Sequence, residues 1–415
     1  MRKNCQACES SKIKLLLDFG LQPLQNRYTS KPHSDDYHHP LTLGQCQNCS
    51  LIQNVNPVPV NEIIPRVDWL KYTEPEDHLD DLADIICKLE GLPDNPLALG
   101  ITYKDDSLLK RLVELSFEKT LRINPEQDLG ISQKGIAGET IIPKITSEVI
   151  TSLTDQYGFF DLIIARHVLE HALNTKKLLS LMWDSLKIGG YIVFEVPDCN
   201  KEIENNDYTM PWEEHILYFV PETLNSFFAH TSYELVKSKQ YSYKTEDIQI
   251  AIVQKNESYK TKNTDSLNTN YLPKVFKNFE RYAKEFFQYK KIINTFLKDY
   301  FYSVGKIAIF GAGHRALMYI KAMEIEDFID FVIDDSEEKQ NLYLSGTSLQ
   351  IKSSRLLSKS NVSLCLLCLS IQHEDKIIKM NQEFVSDGGV FSSTHNTQKN
   401  SLFKIAKDNL SYENF

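Results

Sequence analysis

Between Phe160 and Pro197 the chain spells an apolar run, a helical stretch, a glycine pair and a second apolar run. The first run is DLIIAR at Asp161–Arg166, and the second is YIVFE at Tyr191–Glu195. Leu178–Leu186 has helical character and is expected to end at Gly189–Gly190. Runs that are apolar throughout, rather than alternating, suit strands buried on both faces. Strands alternating with helices predict a mostly parallel sheet covered on both sides. The fold class is therefore α/β.

Neighbouring segments extend this pattern. Strands are expected at Leu97–Ile101, Thr120–Ile123 and Thr140–Ile142, and helices at Asp106–Thr120, Lys144–Tyr157 and Pro221–His230. Tyr233–Tyr243 and Asp247–Gln254 read as closing strands. Upstream, His78–Leu89 places Leu79, Leu82, Ile85, Ile86 and Leu89 on one helical face. Downstream, residues 256–272 are polar and mark a boundary, and 273–302 carry a helical stripe from Val275 to Ile293. A second α/β unit then begins with the strand Lys306–Phe310 and the loop GAGHRA at Gly311–Ala316. A length of 415 residues suits two or three domains. The expected division is 1–60, a small module; 61–95, a helical connector; 96–255, the central α/β domain; 256–302, a linker and helix; and 303–415, a second α/β domain.

A net charge of −10 disfavours a broad nucleic-acid-binding face but leaves small nucleotides and nucleotide-sugars as ligands. The most apolar late stretch, Val362–Ile371, falls far short of the ~20 residues that span a bilayer. The N-terminus MRKNCQACES is not followed by a signal-peptide core, so the expected compartment is the cytoplasm.

Four of the eight cysteines form two close pairs, Cys5 with Cys8 and Cys46 with Cys49. Each pair can set two thiolates on a knuckle, and two knuckles complete a tetrahedral zinc site. A core-poor module of this size needs such a staple, and four thiolates leave no open catalytic position. Cys365 and Cys368 share the spacing but sit in an apolar run that reads as a strand.

The order of these parts resembles the sugar C-methyltransferase family, which acts on nucleotide-linked keto-deoxysugars. The elements that carry the resemblance are CQAC with CQNC, ARHVLEH at Ala165–His171, LKIGGYIVFEVPD at Leu186–Asp198, and GAGHRA followed by DFVIDDSEEKQ. The resemblance implies structural zinc on Cys5, Cys8, Cys46 and Cys49. It also implies a central class I methyltransferase (Rossmann-like) domain for S-adenosylmethionine, and a C-terminal Rossmann-like domain holding part of a nucleotide-sugar pocket.

It further implies roles for particular residues. HVLEH brings His167, Glu170 and His171 to the active-site neighbourhood; in a helix they would share one face, and a capping network is the alternative. WEEHILYF at Trp212–Phe219 matches an aromatic family segment that commonly resembles YHEHxxYF, with Trp212 and Glu213 departing from it. His215 is then the candidate base for a proton beside a sugar ketone, with Glu214 beside it and Tyr218 orienting the sugar or its oxyanion. Gly311, Gly313, His314, Arg315 and Trp212 are substrate-pocket candidates, a plain structural turn being the alternative for the GAGHRA loop.

The donor side departs further. Family loops resemble E-x-G-x-N-x-G; here Ala98 stands in the acidic position, Gly100 keeps the first glycine, and the rest runs ITYKDDSLL. Asn124 stands where an acidic residue would clasp the ribose hydroxyls. Gly100, Thr102, Asn124, Arg166 and His167 are the cofactor-side candidates. The resulting expectation is methyl transfer from S-adenosylmethionine to carbon of a nucleotide-linked sugar through an enolate. One alternative is a sugar or glycan-precursor enzyme without that donor. The other is a non-catalytic binding or assembly protein with a protein partner.

Overall fold

The structure is a computed structural model that describes residues 2–25, 27–33, 37–67, 69, 74–115, 117–131, 136–258 and 272–412. Most of the polar stretch expected as a boundary therefore lies outside the described residues. Two compact units are present. One comprises Met1–Leu15, Leu43–Asn200 and Glu214–Lys277; the other comprises Leu16–Thr42, Lys201–Glu213 and Asn278–Phe415. Strands β1 (Ile13–Pro23) and β2 (His38–Cys46) each run through the boundary between these stretches.

In the first unit the remaining strands are β3 (Ile52–Asn54), β4 (Leu97–Gly100), β5 (Lys119–Arg122), β6 (Phe160–Arg166), β7 (Leu186–Asp198), β8 (Leu217–Tyr218), β9 (Glu234–Tyr241) and β10 (Asp247–Gln254). Six of them form one sheet in the order β5–β4–β6–β7–β10–β9. The pairs β4–β5, β4–β6 and β6–β7 are parallel, and β10 is antiparallel to both its neighbours. The order turns back at β4 and β6, where an open α/β sheet has its ligand crevice at the carboxyl ends.

Every residue of β6 is buried, the apolar centre Leu162–Ala165 as well as the charged Asp161 and Arg166. The helix Leu79–Ile86 buries Leu79, Leu82, Ala83 and Ile86 on one side of the sheet. Each such leucine or isoleucine contributes roughly 1.5–3 kcal/mol when fully withdrawn from water.

Three local expectations are corrected. Thr140–Ile142 is not a strand: Gly138–Ile141 is a helical turn, followed by a 3₁₀ turn at Ile142–Lys144. A run that short has no period, and the side chain of Thr140 caps the turn by accepting from the Ala137 amide at 3.0 Å. Gly189 and Gly190 do not stop the helix, which ends at Ser185; they lie within β7. At Gly190 a Cβ would lie 3.0–3.1 Å from the carbonyl oxygens of Lys187 and Asp161, so glycine permits a close backbone approach there. The helix expected over Asp106–Thr120 closes at Glu114.

In the second unit, β11 (Lys306–Phe310), β12 (Phe331–Ile333), β13 (Ile351–Lys352), β14 (Val362–Leu367) and β15 (Val390–Ser393) form a fully parallel sheet ordered β13–β12–β11–β14–β15. Cys365 is buried in β14, and Cys368 is buried just beyond it. The long helix Leu272–Ser303 buries the stripe Val275, Phe279, Tyr282, Phe286, Tyr289 and Ile293. No helix among the described residues is long and apolar enough to cross a membrane.

Candidate active site and metal centre

The two cysteine knuckles meet in the first unit. Cys5 Sγ lies 3.5 Å from Cys49 Sγ, and Cys8 Sγ lies 3.6 Å from Cys46 Sγ. All four are free thiols, and their sulfurs lie within 4.8 Å of one another. A tetrahedron with zinc–sulfur bonds of ~2.3 Å sets its sulfurs ~3.8 Å apart. The cluster therefore fits structural zinc with little adjustment.

The crevice at β4 and β6 holds the donor-side candidates. Thr102 caps the 3₁₀ turn Tyr103–Asp105. The buried Asp105 carboxylate accepts from the amides of Ile101 (2.7 Å), Thr102 (2.8 Å) and Arg166 (2.8 Å). Burial pushes its pKa up to about 7 against those three amides. At Gly100 a Cβ would lie 2.8 Å from Leu109 Cδ1 and 3.0 Å from Asp105 Cβ. The glycine thus makes room for the chain's own turn. Asn124 is exposed, and its carboxamide oxygen accepts from the Glu126 and Gln127 amides at 3.0 Å each.

Arg166 ends the buried strand β6 and His167 follows it, and both turn into a network centred on Glu195, toward the carboxyl side of β7. Glu195 Oε2 accepts from Arg166 Nε at 2.8 Å and lies 3.1 Å from His78 Nε2; its Oε1 lies 3.1 Å from His167 Nε2. Burial opposes ionisation of Glu195, but these neighbours hold its pKa well below the usual carboxylate range. Burial also opposes protonation of His167. The Glu74 carboxylate, with Glu170 and Glu195, outweighs this and raises its pKa to about 10. His167 stands at φ 51°, a left-handed conformation unusual for a residue with a side chain. HVLEH is therefore not one helix: Leu169–His171 is a single 3₁₀ turn with His167 outside it.

That turn sends two neighbours different ways. Glu170 Oε1 lies 3.1 Å from His167 Nδ1. His171 Nδ1 lies 2.9 Å from Glu139 Oε1 and 3.0 Å from the Glu214 carbonyl. Burial opposes charge on His171, and the Glu139 carboxylate overcomes it, so its pKa is raised. The Ile216 amide donates to the Glu170 carbonyl at 2.7 Å, which pins the segment carrying Glu214, His215 and Tyr218. The rings of His171 and His215 meet edge to face with centroids 4.8 Å apart, and Tyr218 lies 6.0 Å from His215.

Sequence reasoning missed Glu139, Glu195, His78 and Glu74. Glu195 had a signal, a carboxylate ending a buried strand. Glu139 had none, since it lies just outside the short strand expected at Thr140–Ile142.

In the second unit the GAGHRA loop follows β11. Gly311 stands at φ 108°, where a Cβ would meet the Cys368 carbonyl oxygen at 2.6 Å. The Ala312 amide donates to Asp334 at 3.1 Å, so that amide is already engaged. Gly313 caps the helix His314–Met323. Trp212 stacks on His314 with centroids 4.6 Å apart. Arg315 pairs with Asp207 (3.1 Å) and Thr209 (2.9 Å), and His395 also reaches Asp207 at 3.3 Å.

Three family models match successive stretches. Residues 5–63 match a zinc binding domain, 112–238 a methyltransferase domain, and 250–394 a C-methyltransferase C-terminal domain. The chain has a class I methyltransferase fold. This methyltransferase domain is preceded by a zinc-binding module and followed by a further C-terminal α/β domain. No curated protein sequence matches it.

Among solved structures, it is similar to the N-methyltransferase NodS from Bradyrhizobium japonicum in complex with S-adenosyl-L-homocysteine. That match has 15% identity and a TM-score of 0.28, and covers 48% of this chain and 97% of that one. It is also similar to a SAM-dependent methyltransferase from Archaeoglobus fulgidus, with 18% identity, a TM-score of 0.29, and coverage of 43% and 92%.

The fold implies S-adenosylmethionine, and one atom tests the fit. Arg166 Nη2 is a buried donor with no hydrogen-bond partner among the described residues. A free α-carboxylate is a group that would satisfy it. Arg166 thus fits the amino-acid end of the methyl donor.

Proposed function

We propose that this protein transfers a methyl group from S-adenosylmethionine to carbon of a nucleotide-linked keto-sugar through an enolate. The observation that carries the reading is the paired imidazoles of His171 and His215 beside the carboxyl end of β6. Support also comes from the match of residues 250–394 to a C-methyltransferase C-terminal domain.

When bound, S-adenosylmethionine supplies the methyl group. Arg166 would meet its carboxylate, the Gly100–Thr102 turn would line its methionine part, and Asn124 would reach the ribose. Removing a proton beside a ketone needs a base, and something must hold the growing charge on oxygen. His215 is the candidate base. His171 and Glu170 lie beside it, Glu214 precedes it in the chain, and Tyr218 orients the sugar. In the second unit Gly311, Gly313, His314, Arg315 and Trp212 are the candidates for the nucleotide-sugar, with stacking on the Trp212–His314 pair.

Calorimetric titration with S-adenosylmethionine and S-adenosylhomocysteine, alone and with nucleotide-linked keto-sugars, tests the reading. Donor binding and a product heavier by one methyl group are expected. His215→Asn should suppress transfer while sparing donor affinity. Absence of heat and of any thermal shift in every combination would sink it.

A further inference from the structure

The cluster beside β6 has the make-up of a cation site. Glu170, His171 and His215 each bring one ligand atom within 4.8 Å of the others. Glu170 is 1% exposed, and its Oε2 is a buried acceptor with no hydrogen-bond partner among the described residues. Leaving a carboxylate oxygen buried and unmet is costly, so such an atom points to a group that would meet it.

The surroundings of the other ligand atoms point the same way. A histidine that binds a metal through one nitrogen commonly donates its other N–H to a carboxylate or carbonyl, which fixes the tautomer. His171 Nδ1 does this toward Glu139 Oε1 at 2.9 Å and the Glu214 carbonyl at 3.0 Å. A neutral imidazole donating from Nδ1 carries its lone pair on Nε2. The second oxygen of Glu170 is likewise tied, lying 3.1 Å from His167 Nδ1. The third ligand, half-buried His215, is held in place by the Ile216 amide on the Glu170 carbonyl at 2.7 Å.

We propose that Glu170, His171 and His215 bind a divalent transition-metal cation at a site separate from the four thiolates. Two imidazoles and one carboxylate suit zinc, iron(II), cobalt(II) or manganese(II) and leave coordination positions open. The thiolate cluster, by contrast, is closed.

The use of the cation, though not its binding, rests on the function proposed above. A cation-bound hydroxide would take the proton beside the ketone, and His215 would serve as ligand instead of base. The C–H bond breaks, its electron pair moves into the enolate, and the hydroxide becomes water.

The full-length protein, with zinc in its thiolates, would be dialysed against a mild chelator and titrated with cobalt(II) chloride. About one cobalt per chain is expected to bind, with weak visible absorption and without the strong thiolate-to-cobalt band. Glu170→Gln and His215→Asn should each weaken cobalt binding by at least ~10-fold, and Glu139→Gln by ~10–100-fold, with zinc content unchanged. Circular dichroism identifies folded variants, and either folded ligand variant decides the matter. Failure of native protein to bind cobalt beyond its zinc, or equal affinity in a folded ligand variant, would overturn the proposal. The titration uses neither methyl donor nor sugar, so its outcome is independent of the proposed reaction.

Discussion

Arg166 Nε donates to Glu195 Oε2 at 2.8 Å, and neither side chain is more than 1% exposed. One residue ends β6 and the other lies on β7, so strand pairing itself brings the charges together. Glu195→Gln removes the carboxylate at the centre of the network and leaves Arg166 and His167 less compensated in a buried setting. A loss on the order of 3–5 kcal/mol is expected, read as a lower urea midpoint. An unchanged midpoint would mean that the network contributes little.

His167 gives a signature in pH. Its folded pKa is about 10 against an ordinary 6.5, because the carboxylates around it outweigh burial. A raised pKa means stability that is fully present below pH 6.5 and lost as pH rises through about 10. Urea unfolding measured across that window should show the decline. His167→Asn should flatten it.

Zinc is expected to hold the N-terminal module. Cys46→Ser should abolish stoichiometric zinc, measured by mass spectrometry of the metal, and make the first 60 residues susceptible to limited proteolysis. Full zinc retention with unchanged proteolysis would argue against a four-thiolate site.

Gly311→Ala addresses the second unit. The substitution adds a Cβ at φ 108°, aimed at the Cys368 carbonyl oxygen. A cost of at least about 1–3 kcal/mol is expected in denaturant unfolding from backbone strain, and the clash with the carbonyl adds to it. Gly313→Ala is the control, since a Cβ there meets nothing within 4 Å.

Much of the fold could be read from the chain because its signals are local. DLIIAR and YIVFE have apolar centres without alternation and became β6 and the middle of β7. The stripe from Val275 to Ile293 became one buried face. Thr140–Ile142 misled because three residues are too few to distinguish the two periods. Gly189–Gly190 misled because glycine ends helices and also admits close strand approach. The second role won, since Gly190 sits against the carbonyls of Lys187 and Asp161.

The site divides along the same line. The sequence by itself determined the thiolate spacing of Cys5, Cys8, Cys46 and Cys49, the strand that delivers Arg166, and the presence of His167, Glu170, His171 and His215. Tertiary structure alone decided which charges meet. His171 turns to Glu139 and His215, and Arg166, His167 and His78 converge on Glu195. The reason is physical. Spacing along the chain governs partners within one turn, whereas a charge buried by sheet packing must find its counterpart from whichever strand or turn the topology lays beside it.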